Sequence, residues 1–230
     1  MSLIYWLRSR LSLRKNASNK YPSSSFFLMT EPFWMTPKKV VLRDGTEVTL
    51  RPETDGDLEY AWEMFSSISD NTLEFLPEGF SRERVEGWFK DIDYSKAIPI
   101  LGFVETEEGT RMISSSSLGF KQTEIYKHRA SFGITVHDDY QGKGLGKLLT
   151  QYMLDIAAEQ GVKKVELSVV AHNERAIHIY KKMGYEIEGL IKMEHYNPVL
   201  GRYRDAYIMG KILDKNSNNT KWGASGYSYW

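Results

Sequence analysis

The chain has 230 residues, 41% of them hydrophobic and 13% aromatic, so it is long enough and apolar enough to bury a substantial core. Its 30 basic and 30 acidic side chains cancel, which removes any whole-protein attraction to nucleic acid, and no nucleic-acid partner is expected. The absence of cysteine excludes disulfides, thiolate metal ligands and a cysteine nucleophile, and with only five scattered histidines we expect no metal site and a reducing, cytoplasmic location.

The first 30 residues contain five basic side chains and no acidic one. A basic, serine-rich leader can be a transit peptide or an interfacial helix, but this one lacks the apolar core of a secretory signal and any membrane-spanning run. Stable membrane insertion is therefore not expected. Composition predicts a disordered basic extension over residues 1–39 and a domain over residues 40–213. Since the predicted domain begins after the extension and has no stripe to partner it, a chain that begins at Met35 is expected to keep its activity.

The first elements of the domain are predicted to be a hairpin and two helices. Residues 40–52 alternate around an Asp44-Gly45 turn, which is typical of a β-hairpin. Residues 54–57 resemble a capping box that starts one helix, and a second helix should start near Ser81. The side chains predicted to be buried are Leu58, Ala61, Trp62, Phe65 and Ile68 on the first helix and Val85, Trp88, Phe89 and Ile92 on the second.

Two strands are predicted next, at residues 98–105 and 111–120, joined by a turn at residues 107–109. The second strand contains four consecutive serines, Ser114 to Ser117, bracketed by Ile113 and Leu118. This run indicates either a polar face of the strand or a stretch that faces a ligand.

The best-specified local structure is a strand, a glycine-rich turn and a long helix over residues 130–161. The strand alternates apolar and polar side chains with a period of two, and the helix carries one continuous apolar stripe. The strand's apolar positions are Ala130, Phe132, Ile134 and Val136, and the helical stripe consists of Leu145, Leu148, Leu149, Tyr152, Met153, Ile156 and Ala157.

The remaining elements follow the same alternation of helix and strand. Gly161 ends the long helix, a strand follows around Leu167, and another helix runs from Asn173 to Met183 with Gly184 as its stop. Residues 185–213 read as a closing antiparallel hairpin, and residues 214–230 are predicted to be a disordered tail.

The turn Gln141-Gly142-Lys143-Gly144-Leu145-Gly146 is the candidate binding element. Its glycines allow positive φ and let a ligand approach the backbone closely. The amides at the start of the helix, the helix dipole and the charge of Lys143 or Lys147 all attract an anion. A phosphate or pyrophosphate is the predicted ligand.

Two familiar phosphate motifs do not fit this turn. A P-loop requires a glycine where Gln141 stands and a serine or threonine where Leu148 stands. A dinucleotide fingerprint requires a third glycine where Lys147 stands, and an acidic residue at the end of the next strand.

A third phosphate-binding pattern, Q/R-x-x-G-x-G/A, does fit, and it is met by Gln141, Gly144 and Gly146. Further along the chain, residues 173–185 meet another pattern, N-x-x-A-x-x-x-Y-x-x-x-G-[FY]. Together they make the chain resemble the GNAT superfamily of acetyl-CoA-dependent N-acetyltransferases over about residues 46–213. The resemblance implies an α/β fold with a mixed central β-sheet flanked by helices on both faces.

The resemblance also implies roles for particular residues, each with a structural alternative. Tyr180 would be the acid that meets the coenzyme A sulfur, or else a core residue. Asn173 would hydrogen-bond the pantetheine arm, cap its helix, or do both. The backbone of Ile134, Thr135 and Val136 would pair with pantetheine, or with a neighbouring strand. The residues expected at the pyrophosphate are Gln141, Gly142, Lys143, Gly144, Leu145, Gly146 and Lys147.

The general base is where the chain departs from the family pattern. Relatives often carry a glutamate at the position of Ser131 or of Ser168, and a hydroxyl cannot retain the proton of the amine. The sequence offers four candidate bases and selects none of them: Glu105, His137, Glu194 and His195.

The acceptor implied by the resemblance is a small amine, such as an amino acid or polyamine, or a protein amine. The alternative function is a non-catalytic module that binds acyl-CoA. A homodimer is compatible with either function.

Overall fold

A computed structural model of the protein describes residues 31–76, 81–90, 92–197 and 201–213. The predicted tail over residues 214–230 and most of the predicted extension, residues 1–30, lie outside these ranges. No helix among the described residues is long and apolar enough to cross a membrane.

The described residues form an eight-stranded mixed sheet in the order β1-β2-β3-β4-β5-β6-β8-β7. Neighbouring strands are antiparallel except β5 and β6, which are parallel. The strands are β1 Lys38–Val41, β2 Glu47–Pro52, β3 Ala97–Thr106, β4 Gly109–Phe120, β5 Arg129–Val136, β6 Lys164–Val170, β7 Glu186–Asn197 and β8 Arg202–Ile212.

Helices cover both faces of this sheet, as the sequence predicts. One core layer joins the sheet to the first group of helices and contains Phe65, Val85 and Phe103, while the other contains Leu149, Ile156 and the buried part of the last helix. The α-helices are α1 Leu58–Ser67, α2 Asp70–Leu73, α3 Arg82–Phe89, α4 Leu145–Glu159 and α5 Glu174–Lys182.

Three details differ from the predicted elements. Trp88, expected in the core, is 43% exposed, and Leu148, expected on the buried stripe of α4, is 38% exposed. The short helix α2 occupies part of the segment between the two predicted helices. This helix begins because the Ser69 side chain accepts a hydrogen bond from the Thr72 N–H as an N-cap. Such a cap cannot be predicted from the spacing of apolar residues.

The packed part of the chain starts before residue 40. Trp34 is 4% exposed and packs edge-on against Tyr94, with ring centroids 5.4 Å apart. Strand β1 then begins at Lys38. The indole of Trp34 therefore belongs to the core of the domain.

The parallel strands β5 and β6 diverge soon after they meet. They pair only at Arg129↔Lys164, Ala130↔Val165 and Ser131↔Glu166. Beyond Ser131, β5 continues to Val136 along β4, and β6 continues to Val170 along β8. A gap therefore opens in the middle of the sheet, at the carboxyl ends of both strands.

Candidate active site

A cleft with a volume of about 1560 Å³ runs through this gap. It begins at the glycine turn, passes between β5 and β6, and continues onto the face of the sheet that α1 and α3 cover. One cleft thus connects the predicted phosphate site with a second compartment on the opposite face.

The glycine turn has the geometry that its sequence predicts. Gly142 has φ 80° and Gly144 has φ 98°, values that side chains with a Cβ rarely adopt. Gly144 is the N-cap of α4, a helix of 15 residues, so the first amides of a long helix open onto the cleft. The turn therefore presents backbone donors and a positive helix end to an anion.

The Gln141 side chain holds the turn in place. Its Nε2 donates to the carbonyl oxygen of Val136 at 3.0 Å and to the hydroxyl of Thr72 at 2.9 Å. Its Oε1 accepts a hydrogen bond from Arg175 at 3.1 Å. This amide therefore links the end of β5, helix α2 and the start of α5, and both its donor and its acceptor atoms are used.

Three cationic side chains lie at or beside the turn. Lys147 and Arg175 line the cleft, and so does Arg43, which reaches the turn from the loop after β1. A Cβ at Gly144 would lie 3.5 Å from the Arg43 Nε, and a Cβ at Gly142 would lie 3.5 Å from an Arg175 nitrogen.

Two residues of the predicted phosphate set have other surroundings. The Nζ of Lys143 lies 2.8 Å from a carboxylate oxygen of Asp44, and this pairing raises the pKa of the lysine. The side chain of Leu145 is 1% exposed and packs in the core. Of the lysines in the turn, Lys147 is the one that lines the cleft.

The last part of β5 forms one wall of the cleft. Ile134, Thr135 and Val136 all line it, and their hydrogen-bonding partner strand on one side is β4. On the other side β6 has already diverged. The backbone groups that face the gap can therefore pair with an extended ligand as they would with an added strand.

Tyr180 and Asn173 lie along the opposite wall, on α5 and at its start. Tyr180 is 9% exposed, lines the cleft and packs edge-on against Phe132 with ring centroids 6.3 Å apart. Burial raises the pKa of Tyr180 to about 12, so the phenol stays protonated at neutral pH. The Asn173 side chain accepts from the Ala176 N–H at 3.1 Å as a helix cap and also borders the cleft.

The run of four serines faces two environments. Ser115 and Ser117 are partly exposed and line the cleft on the face of α1 and α3. Ser114 and Ser116 are buried; Ser116 also borders the cleft, but its hydroxyl donates to the Ile100 carbonyl at 3.0 Å. Alternation along β4 thus gives the cleft two hydroxyls, and the Ser168 hydroxyl lies across the gap on β6.

The four candidate bases lie away from this cleft, as far as the described residues show. Glu105 accepts hydrogen bonds from Thr110 near the end of β3. The imidazole of His137 is 3% exposed within a polar cluster, and burial followed by the charge of Arg111 lowers its pKa. Glu194 and His195 lie on β7, the strand at the sheet edge.

Three carboxylates in the described ranges do line the cleft: Glu53, Asp138 and Glu174. Asp138 accepts two hydrogen bonds from Ser69 and one from Thr72, at 2.6–2.7 Å. Burial opposes ionisation of Asp138, but these hydrogen bonds lower its pKa on balance. Glu174 is exposed in the first turn of α5, where it complements the helix dipole.

Sequence reasoning missed Arg43, Arg175 and Glu53 as residues of the cleft. Arg175 had a signal, because it lies two residues into the helix that carries the second signature. Arg43 and Glu53 had none, since both reach the cleft only through the pairing of distant strands. Among all the described residues, including those of the cleft, no group of three or more His, Asp or Glu side chains is placed to hold a metal ion.

Residues 61–185 match the Acetyltransferase (GNAT) family, which is more than half of the chain, and the protein belongs to this family. The spermidine N(1)-acetyltransferase of Escherichia coli (strain K12) is 38% identical over 82 residues, covering 35% of this chain and 43% of that protein. The L-amino acid N-acetyltransferase AaaT of the same strain is 32% identical over 102 residues, covering 44% of this chain and 62% of that protein. The chain thus spans about half the length of these two relatives.

The fold also resembles solved structures of the family. The ribosomal-protein-S5-alanine acetyltransferase from Vibrio fischeri superposes with a TM-score of 0.63 and 17% identity, covering 73% of this chain and 94% of that one. At this level of identity, the likeness establishes the GNAT fold and leaves the acceptor open.

Proposed function

We propose that the protein transfers an acetyl group from acetyl-CoA to a primary amine, by direct attack of the amine within a ternary complex. The observation that carries this proposal is the gap between β5 and β6, which joins the glycine turn to a second compartment beyond Tyr180. Such a gap allows the acetyl donor and the amine to approach from opposite faces of the sheet.

The residues present fit the donor. The amides at Gly144 and the following residues, together with Arg43, Arg175 and Lys147, suit a pyrophosphate. The free edge of β5 at Ile134–Val136 suits the amides of a pantetheine arm. A thioester at the end of that arm would lie between the diverging strands, near Tyr180.

Transfer then requires one proton to leave the amine nitrogen and one to reach the departing sulfur. The Tyr180 phenol, with a pKa of about 12, is a weaker acid than a thiol of pKa about 8.5, so full proton transfer to the thiolate is uphill. Its role in this proposal is to donate a hydrogen bond to the sulfur as negative charge develops. Ser115, Ser117 and Ser168 line the cleft where hydroxyls can orient the amine or a water molecule.

The serines at positions 131 and 168 support the alternative that the protein binds acyl-CoA without turnover, because neither can act as a base. Two measurements separate the proposals: acetyl-CoA binding by calorimetry, and coenzyme A release over a panel of amines, amino acids and peptides. Binding with turnover of at least one amine supports the transferase. Binding without turnover across the panel supports the non-catalytic module, and absence of binding contradicts both.

A further inference from the structure

Glu53 differs from the other two carboxylates that line the cleft. Its side chain is only 6% exposed, although the residue reaches the cleft surface. Its main chain is fixed, because its N–H donates to the Pro99 carbonyl at 3.2 Å and its carbonyl accepts from the Tyr94 hydroxyl at 2.7 Å. Within the described part of the chain, its carboxylate has no hydrogen-bonding or ion-pair partner.

The surroundings of Glu53 are acidic. Burial, followed by the charges of Asp57 and Asp55, raises the pKa of Glu53 to about 8. The nearby cation Arg51 is already engaged, since it holds Asp57 through two hydrogen bonds of 2.5 and 2.6 Å. A buried carboxyl without a counter-charge, in a cleft, is a common property of binding and catalytic sites.

Strand register fixes how far Glu53 lies from the reacting groups. Its N–H bonds to Pro99, Pro99 pairs with Ser117, and Ser117 pairs with Gly133 on β5. These four residues share one row, so Glu53 lies three strand spacings, about 14 Å, from β5 along the face that carries Ser117. A general base must reach its proton directly or through one water, and this separation is too long for either.

We propose that Glu53 binds a second cationic group of the acceptor, roughly 10 to 14 Å from the amine that is acetylated. Glu53 is then the residue that makes the protein prefer acceptors with two separated amines. Trp88 and Phe65 line the same compartment. This inference rests on the proposed acetyltransferase function, because it names the acceptor class of that site.

The test compares diaminooctane and diaminobutane with the monoamines octylamine and butylamine, at about pH 9, where a carboxyl of pKa about 8 is ionised. Two readouts are taken for the full chain: kcat/KM with acetyl-CoA, and calorimetric binding of each amine in the presence of coenzyme A. Glu53→Gln removes the charge, Glu53→Asp keeps it, and Glu108→Gln is the control at an exposed turn.

We expect the wild-type protein to prefer diaminooctane over octylamine, and Glu53→Gln to lower kcat/KM and affinity for diaminooctane about tenfold or more. Octylamine should change by less than about twofold, as should every value of Glu108→Gln, and Glu53→Asp should keep part of the preference. An equal loss for diamines and monoamines, or no loss at all, overturns the proposal for Glu53.

The two readouts keep the two proposals apart. Charge-dependent binding of diaminooctane without turnover of any amine supports the role of Glu53 and contradicts the transferase. Turnover of monoamines and diamines alike, unaffected by Glu53→Gln, supports the transferase and contradicts the role of Glu53. Neither binding nor turnover of any amine contradicts both.

Discussion

Arg175 donates a hydrogen bond from its guanidinium to Oε1 of Gln141 at 3.1 Å, and this contact joins the start of α5 to the glycine turn. The two signatures of the sequence, which lie on separate elements, therefore meet through these two side chains. Arg175 is exposed and lines the cleft, so its guanidinium can face an anion as well.

Arg175→Ala is expected to weaken acetyl-CoA binding about tenfold, because it removes a charge beside the turn and a bond that orients Gln141. Isothermal calorimetry of each variant gives the dissociation constant. Arg82→Ala is the matched control, since Arg82 is an exposed arginine that pairs with Glu59 and Glu86 on the surface. An affinity of Arg175→Ala within twofold of the wild type would show that Arg175 does not contribute to acetyl-CoA binding.

Gly144→Ala should destabilise the protein by about 1 to 2 kcal/mol, because Gly144 has φ 98° and a Cβ is strained in that conformation. Gly146→Ala tests the same substitution two residues later, where φ is not positive and a Cβ meets nothing within 4 Å. It should be neutral or stabilising, since alanine is favoured over glycine inside a helix. Urea unfolding without ligand measures both, and equal effects would argue against strain at the turn.

Gly144→Glu tests whether the turn at Gly144 binds the pyrophosphate of acetyl-CoA. The added carboxylate would stand at the predicted pyrophosphate position with like charge, so acetyl-CoA affinity should fall far more than in Gly144→Ala. Calorimetry on protein shown to be folded makes the comparison, and unchanged affinity would place the pyrophosphate elsewhere.

Tyr180→Phe should lower turnover about a hundredfold while leaving acetyl-CoA affinity nearly unchanged, as expected for loss of a hydrogen bond to the charge that develops on the sulfur. Tyr185→Phe is a close control, because the two rings lie 5.6 Å apart between centroids and the buried Tyr185 hydroxyl has no hydrogen-bonding partner among the described residues. Removing that hydroxyl should leave both rate and stability unharmed. Wild-type turnover for Tyr180→Phe, in an assay limited by chemistry, would make Tyr180 a packing residue.

The pKa of Glu53 predicts how stability depends on pH. Because burial and the charges of Asp57 and Asp55 raise this pKa from 4.5 to about 8, the folded protein retains a proton that the unfolded chain releases within this window. The free energy of unfolding should therefore fall as pH rises from about 4.5 to 8, by up to roughly 5 kcal/mol from this group. Glu53→Gln should remove that dependence, so its stability advantage over wild type in urea unfolding should be larger at pH 9 than at pH 5. An equal difference at both pH values would contradict the raised pKa.

The buried Trp34 changes the expectation for a shortened chain. A chain that begins at Met35 lacks this core indole, and we expect it to be about 3 kcal/mol less stable than a chain that begins at Glu31. Thermal unfolding of the two truncated proteins makes the comparison. Equal midpoints would show that the indole contributes little.

Local sequence predicted the elements that depend on neighbouring residues. The glycine turn, helix α4 and the helix that carries Tyr180 follow from spacings within one segment, and they appear as expected. The exposure of Trp88 and Leu148 could not be predicted. Periodicity shows which face of a helix is apolar, but it does not show how much of that face other elements of the fold cover.

The composition of the cleft was less predictable for a related reason. Glu53 is placed by the pairing of β2, β3, β4 and β5, so its distance from the reacting groups is a property of the assembled sheet. Arg43 reaches Gly144 because its N–H bonds to the carbonyl of Lys143 at 3.1 Å, a contact between segments far apart in sequence. Neither relationship leaves a local pattern.

The divergence of β5 and β6 also makes the sheet discontinuous. Three residue pairs join the block of β1 to β5 to the block of β6 to β8, whereas seven join β6 to β8. We expect amide exchange to be fastest along the free edge of β5, at Phe132–Val136, and to slow when an extended acyl donor occupies the gap. The donor would then act as an added strand that couples the two blocks of the sheet. Separation of the two blocks would both widen the gap for entry of the donor and loosen the sheet, as a single motion.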